Sequence, residues 1–172
     1  MTMAKLWDKG FNVNEKIERF TVGKDRELDL YLAPWDILGT MAHITMLQSV
    51  GLLGKDELDI LLAELKILYK DACKGDFTIG EGVEDIHSQV ELTLTGKLGD
   101  IGKKVHTGRS RNDQVMLDIK LFSRAGIERT AGAARKLFDT LTEASERYRD
   151  KLMPGYTHMQ VAMPSSFGLW LG

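Results

Sequence analysis

Lys103-Lys104-Val105-His106-Thr107-Gly108-Arg109-Ser110-Arg111-Asn112-Asp113-Gln114 is the stretch from which the rest of the chain can be placed. It gathers an imidazole, two hydroxyls, two guanidiniums, two amides and a carboxylate around one glycine. Behind it, a segment with helical apolar spacing and no proline runs from about residue 112 to 150. The polar cluster therefore sits where a long helix begins, and Ser110, Asn112 or Asp113 can cap it by accepting free backbone N–H groups. A helix N-terminus beside two arginines suits carboxylates or phosphates. Capping needs only one of these residues, so the remaining inventory points to a functional site.

The helix behind the cluster decides the architecture. Val115, Ile119, Phe122, Gly126, Ala133, Leu137, Leu141, Ala144 and Tyr148 follow a three-and-four spacing. Such a helix would reach about 57 Å at 1.5 Å per residue. A globule of this chain length has a diameter near 40 Å, roughly. Ala125, Ala131 and Ala134 widen the apolar surface, so partner helices from other subunits or from further sequence are implied.

Upstream, Asp25–Leu32 reads as a short helical stretch, and Pro34 opens a helix that continues towards Gly51. Lys55-Asp56-Glu57 starts another, with Leu58, Leu61, Leu65, Leu68 and Ala72 on one stripe, closing near Lys74-Gly75. Val83, Ile86, Val90, Leu94 and Leu98 make a further stripe. Downstream, Pro154–Gln160 reads as a loop and Val161–Pro164 as the lead into a new apolar helix; no Asn-Gly or Asp-Gly hairpin is found. The expectation is an all-α chain: a helical domain over 1–104, then the beginning of a central long-helix bundle over 105–172.

The totals exclude several classes. A net charge of -2 gives no basic footprint for nucleic acid. No long uncharged apolar run suggests a membrane span. The single cysteine, Cys73, forbids an internal disulfide and fits a reducing, cytoplasmic setting. Cys73 itself reads as a small passive residue. His43, among Met41, Ile44 and Met46, reads as a packed or partly exposed histidine rather than a catalytic one. Asp85 and His87 stand too close in sequence for one-turn metal spacing, so no metal is expected there. By residue chemistry alone they form a cap beside a polar face. His158, set among Tyr156, Thr157 and Gln160, fits proton transfer and backbone bonding equally well.

His106-Thr107-Gly108-Arg109-Ser110-Arg111-Asn112-Asp113-Gln114 resembles, without a mismatch, the first signature of argininosuccinate lyases, a branch of the fumarase/aspartase superfamily. Gly155-Tyr156-Thr157-His158-Met159-Gln160 is similar to their second signature, and Glu84-Asp85-Ile86-His87 to a word near their active site. Lys5-Leu6-Trp7 matches the family's opening, but Asp8-Lys9-Gly10-Phe11 departs from what usually follows. The resemblance implies cofactor-free cleavage of argininosuccinate to arginine and fumarate in a homotetramer. His158 is implied as the acid/base histidine, Asn112 and Thr157 as substrate-binding residues, and Ser110, Arg111 and Gln160 as their neighbours. Asp85, His87 and His106 are implied near the site. The family's third signature, a mobile loop with a serine, has no counterpart in this sequence, so the 172-residue chain is expected to be an N-terminal portion inactive alone. In a straight long helix, His158 and Asn112 would stand about 50 Å apart. The other readings are a related elimination enzyme and a non-catalytic, crystallin-like structural protein.

Overall fold

The computed structural model describes residues 15–172; the Lys5-Leu6-Trp7 comparison lies outside them. The regular structure of the described chain is helical except for one hairpin. The helices are α1 (Glu15–Val22), α2 (Asp25–Leu28), α3 (Ala33–Ser49), α4 (Lys55–Lys74), α5 (Ile86–Leu98), α6 (Asp100–Lys103), α7 (Arg111–Arg147) and α8 (Phe167–Leu171). Short 3₁₀ turns follow α2 (Asp29–Tyr31) and α6 (Lys104–His106). The hairpin pairs β1 (Leu152–Thr157) with β2 (Gln160–Ser166). Among the described residues, no helix is long and apolar enough to cross a membrane.

Packing divides the chain into two compact units, Met1–Ser123 and Arg124–Gly172. The sequence reading divides it at 104/105, where the long helix is announced.

In the first unit, local chemistry sets the helix ends. Pro34 stands in the first turn of α3, where its missing N–H costs nothing. Glu57 accepts the Gly54 N–H at 3.0 Å at the start of α4. Gly75 ends α4 in the left-handed region at φ 81°, which glycine adopts without a Cβ clash. Two carboxylates receive the first turn of α5: Asp85 takes the Ser88 N–H at 2.7 Å, and Asp29 the Ile86 N–H at 3.2 Å. Burial raises the Asp29 pKa, and that backbone bond partly offsets it.

Leu58, Leu61, Leu65 and Leu68 of α4 bury their stripe against Ile37, Ile44 and Leu47 of α3 and Ile86, Val90 and Leu94 of α5. Val105 closes this core from the turn after α6. Gly102 is required by close approach: a Cβ there would lie 2.4 Å from the Leu94 backbone carbon. At Gly39, where α3 meets α7, a Cβ would fall 2.8 Å from Leu117 Cδ2, the movable end of a side chain.

The first unit's packing buries a polar face of α7, not the stripe that the sequence reading assigned to partner helices. Gln114 and Asp118 are the residues of α7 that are buried, whereas Ile119 and Phe122 of the expected apolar stripe are exposed.

The second unit corrects the reading of residues 154–166. The loop and the lead-in of the sequence reading are a hairpin, and the new helix that they were read as introducing is α8, beginning at Phe167. Pro154 pairs with Pro164, an arrangement a two-stranded ribbon tolerates because both strands are edges. An irregularity falls at Gly155, where a Cβ would lie 2.4 Å from Met163 Sδ. Ser166 caps α8 by accepting the Leu169 N–H at 3.1 Å, and Ser145 Oγ donates to the Gly168 carbonyl at 2.7 Å.

Candidate active site

An open cleft of about 610 Å³ in the first unit is lined by His87, Ser88, Glu91, His106, Arg109, Ser110, Arg111 and Asn112. Two words far apart in sequence thus share one wall. Arg111 joins them: its guanidinium reaches Asp85 at 3.0 Å, Glu84 at 3.2 Å and Ser88 Oγ at 2.9 Å. Its charge is met by protein carboxylates, and it anchors the turn as much as it lines the cleft.

The turn before α7 is fixed by its own side chains. Asp113 Oδ2 accepts the Ser110 N–H at 2.9 Å and the Ser110 hydroxyl at 3.3 Å. That is the returning half of a capping box, made by Asp113. His43 of α3 donates from Nε2 to the Thr107 carbonyl at 2.8 Å. Partial burial pulls the His43 pKa below its ordinary value, so it serves this turn as a neutral donor. Gly108 passes through the left-handed region at φ 71°, which glycine adopts without steric cost. Asn112 is exposed at the mouth of the cleft and His106 half-buried in its wall.

Below the cleft lies a buried polar cluster. His87 Nδ1 is 2.8 Å from Asp36 Oδ1 and 3.9 Å from Asp118 Oδ2. Gln114 Nε2 donates to the same Asp36 oxygen at 3.2 Å. Arg109 donates to Thr40 Oγ1 at 2.8 Å. Burial alone would push His87 down, but the Asp36 hydrogen bond and the charges of Asp36, Asp85 and Asp118 outweigh it and raise its pKa. Asp118 is pushed up to about 7, chiefly by burial and then by the charge of Asp36, against the pull of His87 and Arg109. Burial lowers the Arg109 pKa, which Asp36 and Asp118 counter. Asp36, His87 and Asp118 place ligand atoms within 4.8 Å of one another, the only such grouping found among the described residues. Those three are the residues that could hold a cation.

The sequence marks Arg109 as one of two arginines suited to an anion but does not single out Asp36, Thr40, Gln114 or Asp118. Arg109 and Gln114 stand inside the signature, and Asp118 is one turn beyond Gln114, so a same-face reading of α7 could have found it. Asp36 carries no local signal at all.

The other sequence candidates belong to the second unit. Thr157 and Gln160 pair across the hairpin end, with His158 and Met159 as its two-residue turn. Thr157, His158 and Gln160 are exposed. His158 at φ 47° and Met159 at φ 61° are non-glycine residues in the left-handed region. Two-residue hairpins favour this geometry, normally with Asn-Gly or Gly. The strain presents the His158 imidazole at the turn, and Met159 offers nothing in return, being 99% exposed. Met159→Gly is therefore expected to stabilise the hairpin by about 0.5–1 kcal/mol. Slower amide exchange across residues 152–166 would show it; faster exchange would contradict it.

Comparison with known proteins gives the family of the chain. Residues 12–172 match the family described as lyase. The chain is 66% identical over 168 residues to argininosuccinate lyase of Bacteroides thetaiotaomicron, covering 98% of this chain and 38% of that relative. The corresponding protein of Parabacteroides distasonis is 62% identical with the same coverage. That of Methylococcus capsulatus is 41% identical, covering 95% of this chain and 35% of the relative. The chain thus spans well under half the length of these relatives. Among solved structures, β-carboxy-cis,cis-muconate cycloisomerase from Acinetobacter calcoaceticus superposes with a TM-score of 0.61 at 17% identity. That match covers 91% of this chain and 36% of the other and concerns the fold.

Proposed function

Because the chain belongs to the lyase family, we propose that the whole protein cleaves argininosuccinate to arginine and fumarate in the cytoplasm, within arginine biosynthesis. The observation that carries this reading is the union of two sequence words in one cleft, tied through Arg111 to Glu84, Asp85 and Ser88.

The chemistry asks for three things: a base for the carbon proton, an acid for the departing guanidinium nitrogen, and donors for the adjacent carboxylate as negative charge develops. Asn112 supplies an amide donor at the cleft, beside the first turn of α7, and Ser110, bonded to Asp113, shapes the turn next to it. Arg109 and His87 add positive charge to the cleft wall. Thr157 and Gln160 supply hydroxyl and amide groups flanking the hairpin turn. His158 carries one proton-transfer role. The family resemblance assigns the other to a serine loop outside this sequence, and implies a site assembled across the subunits of a homotetramer.

Exposed Ile127, Leu137 and Phe138 on α7 support association, because apolar surface of this extent favours a partner. The 172-residue chain alone is expected to release fumarate far more slowly than the whole protein.

Fumarate release, followed by its ultraviolet absorbance, tests the reading with argininosuccinate and, as controls, adenylosuccinate, aspartate and malate. Turnover of a control substrate in place of argininosuccinate would overturn it. In the whole protein, Asn112→Ala and Thr157→Ala are each expected to lower kcat/KM by about 100-fold, the usual cost of a lost donor near developing charge. Wild-type kinetics in both variants would remove these residues from the site.

A further inference from the structure

We propose that Asp36 is a positioning residue: with Asp118 and Gln114, it holds the His87 imidazole with Nδ1 engaged, so that the other ring nitrogen, beside Arg109, faces a substrate carboxylate. The inference rests on the cleft being the substrate site.

Asp36 is 1% exposed and Asp118 likewise, so neither touches a ligand directly. Their burial is expensive. Asp36 Oδ2, both Asp118 carboxylate oxygens, Gln114 Oε1 and Arg109 Nε are buried without a hydrogen-bond partner in the protein. Each such atom carries a desolvation cost of about 1–3 kcal/mol. Apolar residues of similar size would serve stability better at these positions. The cluster's use lies at its upper edge, where His87 and Arg109 line the cleft.

The backbone is arranged to bring the acids to this place. The Leu117 side chain of α7 packs over Gly39 of α3, three residues after Asp36, and Asp118, the next residue of α7, stands beside His87. The Asp36–His87 bond then fixes the ring: in the imidazolium, Nδ1–H donates to the Asp36 carboxylate and Nε2–H is the donor left for the cleft. Arg109 is anchored by Thr40, one turn from Asp36 on α3.

Charge balance favours this role over a metal centre. The imidazole is faced by Asp36 from α3, Asp118 from α7, Asp85 from the start of α5 and Asp29 from the turn after α2. Arg109 stands within electrostatic reach of Asp36 and Asp118. A divalent ion would have to compete with both the guanidinium and the imidazole proton for the same carboxylates.

Asp36→Asn in the whole protein tests the assignment. Asparagine keeps the shape and a carbonyl to accept from Nδ1, and removes only the charge. KM for argininosuccinate is expected to rise about tenfold, the worth of one charge-assisted hydrogen bond, with kcat nearly kept. The alkaline limb of kcat/KM is expected to move to lower pH by about one unit, since the carboxylate that keeps His87 protonated is gone. A purely structural role would lower thermal stability and leave the limb in place; an unmoved limb overturns the proposal. Should Asp36→Asn not fold, Asp118→Asn is read the same way, and failure of both to fold assigns the cluster to folding and overturns it. Activity lost to a chelator and restored by a divalent ion also overturns it. If the wild-type protein does not turn over argininosuccinate, the reading of the activity falls instead. Calorimetry with fumarate at pH 6 and 8 (about two units apart, spanning the imidazole range) then decides the role of Asp36. Wild-type binding tighter at the lower pH, with the preference lost in Asp36→Asn, supports it, and equal pH dependence in both proteins overturns it.

Discussion

His158→Asn in the whole protein is expected to lower kcat by about a hundred- to ten-thousand-fold, the usual contribution of a positioned acid or base. The residue is exposed at the tip of the hairpin, in a backbone conformation that a non-glycine residue adopts at a cost. Strain of this kind is retained where a side chain must be aimed, and relaxed elsewhere. Asparagine tolerates the same φ and keeps a hydrogen-bonding group, so the hairpin should survive and the effect should appear in kcat. Circular dichroism and thermal unfolding beside steady-state kinetics separate the two outcomes. A variant within about tenfold of wild type would be too active for the loss of an acid/base group and would leave the histidine a turn residue only.

The second large effect concerns pH and stability. Asp118 is held at about 7 in the folded protein, against an ordinary value of 3.8. Between those values the folded state keeps a proton that the unfolded chain has lost, so stability falls as pH rises through the window and stays lower above it. His87 acts in the same sense. Its pKa is raised above 6.5 on folding, so its contribution is complete below that value and is lost as pH rises through the folded one. The Asp118 shift corresponds to roughly 4 kcal/mol, from about three pKa units at 1.36 kcal/mol each. Asp118→Asn is therefore expected to be more stable than the wild type at pH 8 and about equal to it only below about pH 3, where the carboxyl is protonated in both the folded and the unfolded chain. Denaturant unfolding of both proteins across this range provides the measurement. Parallel stability curves would show that the Asp118 carboxyl is not held protonated by its surroundings.

The sequence by itself determined what depends on neighbours a few residues apart. Leu58, Leu61, Leu65 and Leu68 recur at helical spacing and are buried together in α4. Pro34 and Gly75 bound their helices because one lacks a donor and the other a Cβ. The polar word around Arg111 was legible as candidate chemistry because its functional groups exceed what capping needs, whereas the His158 word fits proton transfer and backbone bonding equally and is singled out by the family resemblance. The tertiary structure decided what depends on partners distant in the chain. Only packing across α3, α5 and α7 reveals Asp36 against His87, 51 residues apart, and Gln114 against Asp36, 78 apart. Within the first unit α7 buries Gln114 and Asp118 rather than its apolar stripe, and only the tertiary contacts with Asp36 and His87 show which face that is. The hairpin was hidden for a related reason. Its turn uses His158 and Met159 where glycine or asparagine would signal one, and cross-strand pairing, from Leu152 with Ser166 to Thr157 with Gln160, holds residues at conformations their own preferences oppose.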